Sequence, residues 1–346
     1  PKKVFWMNLT LSTRYSSLLL ATAFLVASSS CDSSQDYPIA FVSTVGGDAE
    51  VLLLDVETRE STPLTENQIR DFDPRISPDR KVLAYVSEES GDLEINLVDL
   101  DERSILRLTY AAGDDVSPRW SPDGKRLSFI SNRDDQPEVY VMNADGTNPT
   151  RITSNSYEDR MGDWSPDGEW LVFYSVGSEE TQGLWLRNPD GVNSIYLTSG
   201  QDSEPVWSPN GEHIALSRME GENSDIYIVS KSEGGTWHNS TELTRLTRHP
   251  ASDLSPDWSP DSKGIVFTSF RDDSAEIYSM LKDGSKQLRL TNNLEVDQDP
   301  AWSPDGKRIA FVSHVYGAGE IIVMDSNGEN QRRLTNNKDQ DESPRW

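Results

Sequence analysis

The pentapeptide Trp-Ser-Pro-Asp-Gly recurs along this chain at a nearly fixed spacing. Its copies, intact or varied, begin at Ile76, Trp120, Trp164, Trp207, Trp258 and Trp302. Trp346 stands where a seventh copy would begin, and successive copies lie 43 to 51 residues apart. A regular period of this length is the sequence signature of a solenoid or a propeller. The repeat therefore constrains the fold more strongly than any local pattern does.

One repeat, residues 297–335, shows what each unit is made of. Its Ser-Pro-Asp-Gly segment has the residue order of a tight turn, with Pro presetting φ at the second position. The Asn-Gly dipeptide at 327–328 predicts a second tight turn. Short apolar, β-prone runs lie between these turns, and none has a helical period. Four short strands in about 40 residues are typical of one propeller blade.

The repeated tryptophan has a structural explanation. Six of the ten Trp residues stand at the repeated site. A four-stranded blade must bury apolar side chains against its neighbours, and Trp buries more surface than other residues. We therefore expect these side chains in the core between blades, with stacking on a ligand as the alternative.

The order of the repeats predicts how the ring closes. The first copy, residues 39–65, lacks an inner strand, and residues 342–346 form an inner strand without a blade. If the C-terminal strand completes the N-terminal blade, two open strand edges disappear. The sequence thus predicts an all-β, seven-bladed β-propeller with four-stranded antiparallel blades, closed by the C-terminal strand. Six or eight blades, or a chain truncated at its C-terminus, are the alternatives.

Residues 1–31 have the pattern of a secretory signal, which ends in three small residues followed directly by Cys31. Arg14 supplies a positive charge, and residues 18–27 form an apolar segment too short to span a membrane. We expect a lipoprotein signal with lipidation at Cys31, an ordinary secreted protein being the alternative. The predicted organisation is a signal over 1–31, a tether over 32–38 and the propeller over 39–346. The predicted location is the periplasm or the cell surface.

The charge balance limits the partners. The chain has 32 basic and 58 acidic residues, a net charge of −26. This sign repels phosphate backbones and anionic membrane surfaces, which argues against nucleic acid as a partner. We expect contact with a membrane only through the lipid anchor.

The repeat also resembles a known family. Its pattern is Pro-x-Trp-Ser-Pro-Asp-Gly-Lys, Ile-Ala-Phe-x-Ser, Glu-Ile-Tyr-x-Met, Asp-Gly and Arg-Leu-Thr, and residues 131–140 and 269–278 carry the characteristic loop. This pattern resembles the WD-like propeller repeats of the TolB family over residues 39–346. The resemblance concerns the propeller alone, so it does not extend to the family's docking with peptidoglycan-associated lipoprotein.

One aspartate recurs in every copy, three residues before the inner-strand Pro or Gly162. The seven are Asp71, Asp115, Asp159, Asp202, Asp253, Asp297 and Asp341. In a closed ring they are predicted to surround one mouth of the central channel, where their negative potential would favour cations or basic peptides. The alternative is that each carboxylate caps its own loop.

Signals of catalysis are few. No Gly-x-Ser-x-Gly elbow occurs, and His213, His238, His249 and His314 lack the spacing of metal ligands. The sequence therefore predicts no catalytic residue, no metal, no cofactor and no enzymatic activity.

The combined prediction is a monomeric, exported scaffold. It would bind an envelope protein or peptide, a basic one, through an acidic channel mouth. The alternative is a carbohydrate-active enzyme, a lyase or glycosidase, built on a propeller.

Overall fold

The computed structural model describes residues 37–89, 91–178, 181–239 and 242–346. Residues 36–346 form one compact unit. The predicted signal, Cys31 and most of the tether lie outside the described residues. Among the described residues, no helix has the length and apolar character needed to cross a membrane.

In the described part of the chain, 28 strands form seven four-stranded antiparallel sheets, which are the blades of a propeller. Blade 1 contains β1 (Ile39–Val45), β2 (Asp48–Leu54), β3 (Ser61–Pro63) and the last strand, β28 (Asp341–Arg345). Blade 2 contains β4 (Asp71–Ile76), β5 (Val82–Ser87), β6 (Glu94–Asp99) and β7 (Ile105–Arg107). Blade 3 contains β8 (Asp115–Trp120), β9 (Arg126–Ser131), β10 (Glu138–Asn143) and β11 (Thr150–Arg151). Blade 4 contains β12 (Glu158–Trp164), β13 (Leu171–Val176), β14 (Gly183–Arg187) and β15 (Ser194–Tyr196).

The remaining three blades follow the same order. Blade 5 contains β16 (Gln201–Trp207), β17 (His213–Glu220), β18 (Asn223–Ser230) and β19 (Leu243–Arg245). Blade 6 contains β20 (Asp253–Trp258), β21 (Gly264–Asp272), β22 (Ser274–Leu281) and β23 (Leu288–Arg289). Blade 7 contains β24 (Asp297–Trp302), β25 (Arg308–Ser313), β26 (Glu320–Asp325) and β27 (Arg332–Arg333). The prediction of a seven-bladed, all-β propeller is confirmed.

The C-terminal strand closes the ring, as predicted. β28 pairs antiparallel with β1, so the first blade is built from both ends of the chain. A buried apolar cluster joins blade 1 to blade 7 and includes Phe41, Val312 and Ile321. Closure removes the two strand edges that an open ring would expose to water.

The repeated Trp side chains connect neighbouring blades. Trp120 Nε1 donates a hydrogen bond to the carbonyl oxygen of Arg75, at 2.9 Å, and Trp164 Nε1 donates to the carbonyl of Arg119, at 3.1 Å. At the closure, Trp346 Nε1 donates to the carbonyl oxygen of Ala301 in blade 7, at 3.0 Å. Each of these indoles thus packs between blades and satisfies a main-chain acceptor of the preceding blade.

The pairing register shifts at a bulge in all seven inner strands, beside the Pro or Gly162. In the six strands that contain the Pro, the residue just before it has a left-handed backbone, with φ between 51° and 56°. These residues are Asp73, Ser117, Glu204, Ser255, Asp299 and Ser343. A bulge re-aims side chains, and Pro is tolerated there because the ladder lacks a donor at that point. The bulges place polar side chains beside the central channel.

Blade 4 differs at this point, because Gly162 replaces Pro. A Cβ at Gly162 would lie 2.7 Å from the carbonyl oxygen of Val172 and 2.8 Å from Cγ of Pro205. The close approach of blade 5 therefore requires glycine at this position.

Candidate functional site

The seven predicted aspartates lie one per blade, at or next to the first residue of each inner strand. They mark one face of the ring, which we call the aspartate face. The opposite face, which carries the Ser-Pro-Asp-Gly turns, is the turn face. All seven side chains are buried, with at most 2% of their surface exposed. The structure therefore spreads them around the ring, inside the blades, instead of gathering them at one point.

Four of these aspartates accept a hydrogen bond from an asparagine amide four residues earlier. The Nδ2–Oδ2 distances are 2.7 Å for Asn67–Asp71, 2.9 Å for Asn155–Asp159, 2.6 Å for Asn293–Asp297 and 3.0 Å for Asn337–Asp341. Burial raises the pKa of all four carboxyl groups, and that of Asp159 reaches about 6. A neutral amide is a weaker partner for a buried carboxylate than a cation is, so the cost of burial dominates the pKa at these four sites.

The other three aspartates bind an arginine that lies near the end of the second strand of the blade or just after it. The pairs are Arg133–Asp115 at 2.7 Å, Arg218–Asp202 at 2.6 Å and Arg271–Asp253 at 2.9 Å. The sequence before these aspartates lacks the asparagine found in the other four repeats. A cation thus replaces the amide at the same place in the fold. The binding role of the seven aspartates stays a prediction, and Asp202 is the one that lines the cavity described next.

A cavity of about 730 Å³ occupies the central channel. All seven inner strands contribute to its wall, and it extends from Asp202, near the aspartate face, to Trp346 and Pro304, near the turn face. Two positions of the inner strands supply most of the lining. The bulge residue lines the cavity in blades 5, 6 and 7, as Glu204, Ser255 and Asp299, and the residue just before the repeated Trp lines it in all seven blades. We call these the upper and lower levels of the channel.

The lower level is positive on one side and negative on the other. Around the ring from blade 1 to blade 7, its residues are Arg345, Arg75, Arg119, Asp163, Val206, Asp257 and Ala301. The three arginines come from adjacent blades, and we call them the arginine arc. Sequence alone does not place Arg345 beside Arg75, because their adjacency depends on closure of the ring.

Only part of the arginine arc is neutralised by contacts. Asp73, at the upper level of blade 2, forms ion pairs with Arg75 at 2.6 Å and with Arg119 at 3.4 Å. The guanidinium of Arg345 forms no hydrogen bond or ion pair with any residue in the described part of the chain. Burial and the neighbouring charge of Arg119 lower the pKa of Arg75 to about 9. Burial alone would raise the pKa of Asp73, but the nearby arginines outweigh it and lower that pKa.

The acidic side of the channel binds main-chain donors. Asp257 Oδ2 accepts a hydrogen bond from the backbone N–H of Trp302, at 2.7 Å, and Asp163 Oδ1 accepts one from Trp164, at 2.7 Å. Burial raises the pKa of Asp257 to about 6 and also raises the pKa of Asp163 and Asp299. Glu204 is exposed at the upper level and accepts hydrogen bonds from Ser255. The cavity therefore holds separated charges of both signs.

The channel residues were not predicted from the sequence. Alignment of the repeats shows the aspartate that all copies share, whereas the residues at the channel positions differ from copy to copy. A signal was present: the residues on either side of each inner-strand Pro are charged or hydroxylated in most repeats. No group of three or more His, Cys, Asp or Glu side chains suited to a metal ion occurs within residues 37–89, 91–178, 181–239 and 242–346.

The sequence matches a known protein family. The chain matches the family described as TolB beta propeller domain over residues 16–235 and 198–346. It is 34% identical over 91 residues to the uncharacterized peptidase YuxL of Bacillus subtilis, covering 25% of this chain and 13% of that protein. It is 39% identical over 61 residues to the Tol-Pal system protein TolB of Bordetella pertussis, covering 18% of this chain and 13% of that protein. The matched segments are thus a small part of these relatives.

Solved structures with the same fold include TolB proteins and enzymes. TolB from Acinetobacter baumannii superposes with a TM-score of 0.60 at 20% identity, covering 89% of this chain and 65% of that one. An oligogalacturonate lyase in complex with manganese gives a TM-score of 0.66 at 20% identity, covering 83% and 85%. At this identity the likeness concerns the fold. Together with the YuxL match, it contradicts the prediction that the chain is not an enzyme, since propellers of this kind occur in a lyase and in peptidases.

Proposed function

The chain belongs to the TolB β-propeller family, and from that premise we propose that it is an exported scaffold whose channel binds a basic segment of a partner protein at the aspartate face. The observation that carries this proposal is the acidic upper level of the channel, where Glu204 and Asp299 flank Ser255 on adjacent blades. A net charge of −26 adds a long-range attraction for cationic partners.

The surface beside these acids is apolar, which supports docking of a protein. Five large apolar side chains are exposed on blades 5 to 7, in or beside loops that lie on the aspartate face. They are Met219, Phe270, Leu294, Val315 and Tyr316, between 43% and 91% exposed. Apolar residues grouped beside a polar cleft are typical of protein interaction sites. A partner could bury these side chains while its basic segment enters the channel.

Pull-down from an envelope extract tests this function. The double variant Glu204→Gln with Asp299→Asn removes two negative charges from the upper level while keeping hydrogen-bond acceptors. Glu60→Gln with Glu102→Gln removes the same charge from exposed loops on the turn face. We expect a partner that binds at low salt, dissociates at high salt, and is lost with the first variant alone. Equal capture by both variants would exclude the channel as the binding site.

Export and anchoring are part of the same proposal. Arg14, the apolar residues 18–27 and Cys31 support a lipoprotein signal. Fractionation of cells that express Cys31→Ser tests it, because the variant should leave the membrane fraction. Retention of the variant in that fraction would contradict lipidation at Cys31.

A second candidate is a lyase acting on a carboxylated sugar. The observation in its favour is the lowered pKa of Arg75, about 9, beside two further arginines. Such a group can exchange a proton more readily than an ordinary guanidinium, while its neighbours neutralise a substrate carboxylate. Incubation with oligogalacturonate should then give an unsaturated product that absorbs ultraviolet light, and Arg75→Lys should abolish it. Absence of that product would remove this substrate.

A further inference from the structure

The arginine arc and the acidic upper level together specify which end of a peptide the channel accepts. We propose that the arc formed by Arg345, Arg75 and Arg119 binds the C-terminal carboxylate of the partner segment, which enters with its C-terminus leading. This inference rests on the proposed function, because it assigns a ligand group to the deeper part of the same channel.

The arc contains hydrogen-bond donors that lack acceptors. The three guanidinium groups come from adjacent blades, and Asp73 contacts two of them while Arg345 has no ion-pair partner in the described chain. The acids of the lower level, Asp163 and Asp257, accept hydrogen bonds from backbone N–H groups and attract Arg345 only at longer range. The N–H donors of Arg345 are therefore open to an anionic ligand.

The charges around the arc also select the kind of anion. Guanidinium groups present planar pairs of N–H donors that match a carboxylate or a phosphate. The same cavity, however, is lined by Asp163, Glu204, Asp257 and Asp299. With Asp73, these acids outnumber the three arginines, so a second negative charge on the ligand would add more repulsion than attraction. The channel therefore favours an anion with one charge.

The spacing of the two levels matches a short extended peptide. The upper and lower residues are two positions apart along each inner strand, as with Asp299 and Ala301. Two residues of an extended peptide span about 7 Å. A carboxylate on the arc would thus place the side chain of the third residue from the C-terminus beside Glu204 and Asp299. A basic residue at that position would meet the acids of the upper level.

Two tripeptides test the proposal directly. The probes are Lys-Ala-Ala with a free C-terminal carboxylate and the same peptide with a C-terminal amide. Binding is followed by tryptophan fluorescence, since Trp120, Trp302 and Trp346 line the cavity, and by calorimetry. We expect the free acid to bind at least about tenfold more tightly than the amide, the size of effect given by one charge-assisted contact.

Matched variants show whether the arc causes that preference. Arg345→Gln should reduce the preference to less than about twofold. It should also lower the melting temperature of the ligand-free protein at low salt, because Arg345 attracts several channel carboxylates, among them Asp73 and Asp257, and this outweighs its repulsion of Arg75. Arg332→Gln is the control, since Arg332 lies on the outer strand β27 and likewise forms no ion pair among the described residues. It should change neither quantity.

The outcomes separate this inference from the proposed function. Equal affinity for acid and amide, no binding of either peptide, or an unchanged preference in Arg345→Gln would overturn the carboxylate site, even if an envelope partner is captured. If the wild-type protein captures no envelope partner but still prefers the peptide acid, the docking function would be overturned and the carboxylate site would stand. Galacturonate is a third probe, and tighter binding of this sugar acid than of the peptide acid would assign the arc to a carbohydrate.

Discussion

The interfaces between blades and the wall of the channel are built from the same inner strands, yet they differ in how far they repeat. At the start of each inner strand, all seven blades carry a buried aspartate. Four residues further along, before the repeated Trp, the blades carry arginine, aspartate, valine or alanine. The first position is uniform and buried, whereas the second is variable and lines a cavity.

This difference separates two kinds of constraint. A residue that occurs in every blade is required by a geometry that every blade shares. The contacts of the seven aspartates, with an asparagine amide or an arginine in the same blade or the loop before it, agree with this. A ligand breaks the symmetry of a ring, so the residues that bind it are expected at positions where the copies differ. The arginine arc is such a set.

The largest predicted effect concerns the arginine-bound aspartates. Asp253→Asn leaves the guanidinium of Arg271, whose side chain is only 14% exposed, without its buried carboxylate partner, which lies 2.9 Å away. Breaking a buried ion pair from one side costs about 3 to 5 kcal/mol of stability. Urea unfolding at neutral pH, followed by circular dichroism, measures this loss in the free energy of unfolding.

The matched control is Asp297→Asn, at the same position in a blade where asparagine is the partner. Burial already raises the pKa of Asp297, so the neutral amide should cost less than about 1 kcal/mol. If both variants were equally destabilised, the two kinds of aspartate site would not differ energetically, and the partner residue would be irrelevant.

Much of the fold could be predicted from the sequence, because the information is local and repeated. Ser-Pro-Asp-Gly forms the same turn each time, with Ser121 Oγ donating to Asp123 Oδ1 at 2.7 Å and Ser303 Oγ donating to Asp305 Oδ1 at 2.7 Å. The closing strand was also predictable, since a surplus strand at one end complements a deficit at the other. The left-handed bulge before each Pro was not, because no local signal distinguishes it from regular extended backbone.

The channel could be predicted only in part. The sequence indicated an acidic mouth, but it directed attention to buried aspartates in place of Glu204 and Asp299. The arginine arc combines residues from both ends of the chain, and their proximity arises only when β28 joins β1. Charged residues that are far apart in the sequence and differ between repeats form no periodic pattern that a reading of the sequence could detect.

The second prediction is that stability falls as the pH rises through about 6. Burial raises the pKa of Asp159 to about 6, so the folded state holds this proton more tightly than the unfolded chain does. The stabilising contribution is complete below the ordinary aspartate pKa of 3.8 and is lost above about 6. Melting temperatures measured from about pH 5 to pH 8 should therefore decrease, by the equivalent of a few kcal/mol at most.

Asp159→Asn should flatten that decrease, because an amide does not titrate. Turn aspartates act in the opposite direction at lower pH. The hydroxyl of Ser121 lowers the pKa of Asp123, so its contribution is lost as the pH falls through that lowered value. The stability maximum is expected between these two ranges, and a stability that rises continuously to about pH 8 would contradict the raised pKa of the buried aspartates.

The smallest effect is expected at the repeated Trp, where one copy departs from the others. Trp346→Phe removes the hydrogen bond from Nε1 to the carbonyl oxygen of Ala301 and leaves that acceptor unsatisfied at the seam of the ring. Such a loss costs about 1 to 2 kcal/mol.

In blade 7, Trp302 Nε1 is buried without a hydrogen-bond partner in the described residues, so Trp302→Phe removes an unpaired donor and should cost less than half as much. Thermal unfolding of the two variants compares them directly, because the lost indole ring is the same. If Trp302→Phe were the more destabilising, packing of the indole would outweigh its hydrogen bond, and the bonds between blades would contribute little to closure.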